Sequence, residues 1–117
     1  VNPDKDVIIE AVITPSTSKN IEVMSPLTGD HVEKDILVKG NARTNDNIVG
    51  IRLWDSYGNV IAETTAEANV SASGQYGPFE KMLAFNTTDK TGELEIFQYD
   101  SVDGSISETV EIPLTFN

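Results

Sequence analysis

The sequence contains no cysteine. Disulfide staples, thiolate zinc sites and cysteine nucleophiles are therefore excluded. Basic residues are scarce, eight against nineteen acidic ones, for a net charge of −11. A surface this acidic repels phosphate backbones and anionic headgroups, which argues against nucleic acid and membrane surfaces as partners. No apolar run approaches the roughly 18–20 residues of a spanning helix, so direct membrane insertion is not expected. Helical periodicity is nearly absent as well. No internal repeat and no low-complexity tract is visible.

What is present fits one domain of 117 residues, with 38% hydrophobic and 23% charged residues. That length buries a real core without disulfides or metals. The chain begins at Val1 and shows no basic n-region followed by an apolar h-region. This is expected of a processed product or a piece of a longer protein, with any export or anchoring signal outside this chain.

Short alternating segments recur between turn signals. The spacing predicts strands at Ile21–Met24, Ile36–Ala42, Ile48–Asp55, Val60–Ala68, Phe79–Phe85, Glu93–Tyr99 and Ile106–Phe116. Ile36, Val38, Gly40 and Ala42 share one face, as do Val49, Ile51 and Leu53. "DSYGN" at Asp55–Asn59 is the sharpest local signal. Its aspartate opens a turn and Gly58 closes it in the left-handed region, so the flanking strands form a hairpin with a bulge. Pro113 cannot donate to a ladder, which puts the last strand at a sheet edge.

About seven short strands in this order fit an all-β, immunoglobulin-like Greek-key sandwich. The first, second and fifth would form one sheet, and the fourth, third, sixth and seventh the other. The loops Thr44–Asn47, Asn69–Gly77 and Asp100–Ser105 would then meet at one end. Residues 20–117 form the domain, and residues 1–19 stand apart as a linker or extra strand. Val7–Ile13 is the candidate strand and Thr14–Asn20 reads as linker.

The ordered set "SPLTGD", "VKGNAR", "IRLWDSYGNVIAE", "YGPFEKMLAF" and "DGSISETVEIPLTF" resembles the immunoglobulin-like domain family of bacterial spore germination proteins. The resemblance covers about residues 20–117 and leaves 1–19 outside it. It implies an extracytoplasmic bacterial module, secreted or carried by a lipoprotein of the cell envelope. It brings no catalytic residues and no cofactor. It implies an accessory role in adhesion or protein contact.

The residues agree with a non-enzymatic reading. His31 is the single histidine and sits in a turn-like segment, with no "GxSxG" elbow in the chain. Glu93 and Glu95 share a strand face, and Glu108 lies near Glu111, whereas glycosidase carboxylates face each other across a cleft. No tight metal site is expected. The candidates for a hard cation are Asp46, Asp100 and Asp103, with Asn45 and Asn47 nearby, but turns call for the same residue types. Asn69-Val70-Ser71 and Asn86-Thr87-Thr88 match the glycosylation sequon, which in a bacterial protein is accidental.

Aromatics supply the binding candidates. With Val49, Ile51 and Leu53 inward, Trp54 faces out, and with Leu94 and Ile96 inward, Phe97 and Tyr99 do too. The expectation is one exposed patch of Trp54, Phe97 and Tyr99 beside Arg52. Tyr76 is a further candidate at the loop end. The expected partner is an envelope protein, or alternatively a cell-wall polymer such as peptidoglycan held by aromatic stacking.

Overall fold

The computed structural model describes residues 15–72, 74–100 and 102–116. Its strands are β1 (Ser16–Thr17), β2 (Ile21–Ser25), β3 (His31–Val32), β4 (Asp35–Ala42), β5 (Ile48–Asp55), β6 (Val60–Glu67), β7 (Gly77–Ala84), β8 (Thr91–Tyr99) and β9 (Ile106–Phe116). They form a five-stranded sheet ordered β3-β9-β8-β5-β6 and a four-stranded sheet ordered β1-β2-β4-β7. The seven strands expected between residues 21 and 116 are present, and they divide between the sheets as expected.

The two short strands are additions. Ser16 and Thr17 pair antiparallel with Val23 and Glu22, so part of the expected linker is built into the sandwich. His31 and Val32 pair parallel with Thr115 and Phe116, which corrects the expected edge position: the last strand is second in its sheet, although this short pairing leaves Pro113 uncovered by it. The pairing stops short of Pro113, whose carbonyl accepts from the Gly29 N–H at 2.8 Å. Pairs this short carry no periodicity and cannot be read from a pattern. The candidate strand Val7–Ile13 lies outside the described residues.

The alternation settles the core. Ile21, Val23, Val38, Val49, Ile51, Leu53, Leu94, Ile96 and Ile112 are wholly buried between the sheets. Burial of each such side chain stabilises the fold by about 1.5–3 kcal/mol. The ambiguous β6 contributes Ala66 inside, with Ala68 just after it, and leaves Val60 exposed. The Asp55–Asn59 turn forms as expected. The Asp55 carboxylate accepts from the N–H groups of Tyr57 and Asn59 at 2.9 and 2.8 Å, Gly58 has φ 85°, and a register shift lies between Leu53 and Trp54.

Among the described residues β7 ends the four-stranded sheet, and its sequence blunts that edge. Lys81 shares the inward face with Phe79 and Leu83 yet stays exposed, and Pro78 removes a donor. An inward-facing charge on an edge strand opposes pairing with another chain.

Candidate functional site

The outer face of the five-stranded sheet holds the expected aromatic cluster. Arg52 is opposite Glu95, Trp54 opposite Glu93, and Gly50 opposite Phe97. The cluster is not open, which corrects the expectation for Phe97: it is 1% exposed. Its ring lies across Gly50, where a Cβ would come within 2.3 Å of it. The Arg52 guanidinium covers the ring at 4.6 Å, and Tyr99 meets it edge-on at 5.2 Å. One oxygen of Glu95 then fastens the cover. It accepts from Arg52 Nη2 at 2.9 Å, from Arg52 Nε at 3.0 Å and from Trp54 Nε1 at 3.0 Å.

These residues take the outer face as expected, and Tyr99 is exposed, but Phe97 is covered and Trp54 only partly open. Alternation tells which side of a sheet a residue takes, but not what neighbouring strands lay over it. Trp54 is half-buried beside Arg52, and Tyr99 is 44% exposed. Glu93 completes the face. Burial first, then the charges of Glu111 and Glu95, push its carboxyl above the ordinary value.

The outer face of the other sheet carries exposed apolar side chains. Leu37 on β4 is directly paired with Met82 on β7. Both are exposed, as is Met24 on β2. Sequence reasoning missed this group. Its signal was present, since Leu37 and Met82 fall on the non-core side of their alternation, but only the register between the strands brings them together.

At one end of the sandwich, Thr44, Asp46 and Asn47 and the residues Val70–Ala72, Gly74 and Gln75 line a groove of about 680 Å³. Arg43, Thr44, Asp46, Asn47, Ser71 and Gln75 contribute its polar lining. Asp46 and Asn47 have φ of 58° and 59°, a left-handed conformation that Asp and Asn tolerate better than most residues. Among the described residues of Asp100–Ser105, none lines the groove.

A polar network joins Glu108, Asn20 and Arg43. Glu108 accepts from the Asn20 backbone N–H at 2.7 Å, from Asn20 Nδ2 and Gln98 Nε2 at 2.9 Å each, and from the Ser18 hydroxyl. Burial alone would raise its pKa, but these donors outweigh burial and hold the carboxyl below its ordinary value. Asn20 in turn takes Arg43, through Nε to its side-chain oxygen at 3.1 Å and through the Arg43 backbone N–H to its carbonyl at 2.8 Å. Tyr76 donates its hydroxyl to the Lys19 carbonyl at 2.6 Å, and the Arg43 guanidinium lies 4.7 Å from its ring centre.

The remaining candidates serve their own loops. Asp100 accepts from the N–H groups of Val102 and Asp103, and Asp103 from the N–H and hydroxyl of Ser105. Among the described residues no group of three or more His, Asp or Glu side chains is placed to hold a metal ion. His31 stands 3.3 Å from both the Thr115 hydroxyl and the Glu33 carboxylate on the exposed β3 edge.

Two sheets with this strand order define an immunoglobulin-like β-sandwich. The family model of the immunoglobulin-like domain of bacterial spore germination matches residues 20–105. The chain belongs to that family. The match ends at Ser105, while the sandwich continues through β9 to Phe116. No curated protein matches the chain.

Proposed function

We propose that this chain is a non-catalytic accessory module of an extracytoplasmic bacterial protein, and that it makes protein contacts at the cell envelope. The observation that carries the reading is the exposed, directly paired Leu37 and Met82 on the four-stranded sheet. Exposed apolar groups that sit together favour protein contact, and methionines adapt to a partner's shape. The blunted β7 edge directs contact to the face and away from strand addition. Family membership supports the accessory role. The Glu93 and Glu95 carboxylates lie on one strand, not across a cleft, which supports a non-catalytic reading.

Sugar binding through stacked aromatics has less support. Phe97 is covered, and Trp54 is half-buried with its N–H held by Glu95. The test is cross-linking capture from envelope protein extract, with purified cell wall in parallel. A Leu37→Glu/Met82→Glu variant that loses the proteins captured by the parent chain supports the reading. Wall binding that survives the variant favours the polymer alternative. Capture of neither leaves the module a spacer.

A further inference from the structure

We propose that the open edge of β6 receives an extended, basic segment of a partner protein as an added strand. Among the described residues the two sheets end at four strands, and three of these edges are guarded. β1 and β3 are two residues long each, and β7 carries Pro78 and the inward Lys81. β6 runs eight residues, Val60–Glu67, with no proline. Its inward positions are the uncharged Ala62, Thr64 and Ala66, opposite Leu53, Ile51 and Val49. Short strands, prolines and inward charges keep an edge from pairing, and β6 has none of them.

The register shows which backbone groups this edge offers. Ala68 donates its N–H to the Asn47 carbonyl at 2.8 Å, on the β5 side. Bonding direction alternates along an antiparallel pair, so Ala66, Thr64 and Ala62 also turn their N–H and C=O groups to β5. Those of Glu63, Thr65 and Glu67 turn to the open side. Asn69, next in that second series, donates its N–H to the Pro78 carbonyl at 2.8 Å. β7 thus closes the edge beyond Glu67 and fixes where an added strand must end.

The side chains select the occupant. Residues of an added strand that face Glu63, Thr65 and Glu67 share the outer face with them. Glu63 and Glu67 are exposed and call for Lys or Arg opposite, and Thr65 suits a threonine. The intervening residues turn inward beside Thr64 and Ala66, where β-branched side chains fit a strand. Main-chain bonds of this kind give affinity, and the alternate side chains give specificity. A second copy of this chain would bring its own net charge of −11 and the same glutamates to the edge, which opposes self-pairing. Leu37 and Met82 lie on the other sheet, so the test is independent of the contact proposed there.

The experiment is an amide-resolved NMR titration of the 117-residue chain. The probe is acetyl-Lys-Val-Thr-Val-Lys-amide, whose symmetric sequence meets the same partners in either direction. It is expected to shift the amides of Glu63, Thr65 and Glu67 saturably and to slow their hydrogen exchange. The same peptide N-methylated at both lysines and the threonine keeps its charge but loses the ladder, and is expected to bind at least about tenfold more weakly. So is the peptide with glutamate in place of both lysines. Thr65→Pro removes the central outward donor and is expected to weaken the parent probe. Should that variant fail to fold, Glu63→Lys/Glu67→Lys keeps the edge and is expected to prefer the glutamate peptide. Absence of saturable shifts in β6, equal binding of the N-methylated or the glutamate peptide, or unchanged binding in both variants would each overturn the proposal. Concentration-dependent shifts of the same amides without peptide would make the occupant a second copy and overturn it as well.

Discussion

The Glu108 carboxylate accepts a hydrogen bond of 2.7 Å from the backbone N–H of Asn20, a residue 88 positions earlier in the chain. The bond closes the entry segment of the domain onto its last strand. It also places the asparagine that holds Arg43.

Glu108→Ala should therefore be costly for a partly exposed position. Several donors lose a charged acceptor, and the expected cost is about 2 kcal/mol. The Tm should fall by roughly 6–12 °C. A change within 2 °C in a thermal melt would show that the network is not cooperative with folding.

The same carboxyl sets a pH dependence. Its folded pKa lies below the ordinary value of 4.5, so its stabilisation is full above that value and is lost as pH falls through the folded value. Melts of the parent chain and Glu108→Gln should therefore differ most at neutral pH and converge as acid is added below about pH 4.5.

Glu93 behaves in the opposite sense. Burial and the nearby Glu111 and Glu95 raise its pKa above 4.5, so its charge destabilises the fold above the raised value. Glu93→Gln should raise the Tm at pH 7 by roughly 1–3 °C, a gain kept small by solvent screening. The gain should close as pH falls toward 4.5. A Tm lowered at pH 7 would refute the like-charge account.

Phe97 and Met82 offer a contrast between a covered and an open residue. Phe97→Ala should cost about 3–5 kcal/mol, as for a core aromatic, although the ring lies outside the main core. Met82→Ser should stay within about 0.5 kcal/mol. Denaturant melts of the two variants check this directly, and similar midpoints would reverse the exposure assignments.

Gly50→Ala tests why Phe97 can lie flat across the sheet. The added Cβ would fall 2.3 Å from the ring, which Arg52 pins from above. The expected cost is about 1–3 kcal/mol. In a Phe97→Leu background the cost should shrink, and a double-mutant cycle measures that coupling.

Much of the fold was legible in the sequence because local rules dominate it. The period of two in Ile36–Ala42 and Ile48–Leu53 fixes which side chains enter the core. Asp55 and Gly58 set the turn between β5 and β6 by chemistry confined to five residues, Asp55–Asn59. Pro78 and Pro113 mark where a ladder must lose a donor. These are effects within a few bonds of the residue concerned, and no distant partner alters them.

The tertiary structure decided everything that depends on register and on residues far apart in the chain. Phe97 faces outward by alternation, yet Gly50, Arg52 and Tyr99 bury it. Leu37 and Met82 become one surface only because β4 and β7 pair in that register. Arg43 is held by Asn20 and Tyr76, and Arg52 by Glu95, through residues far from each in the chain. Periodicity specifies the direction of a side chain, whereas its exposure and its partners are set by what the remainder of the chain brings against it.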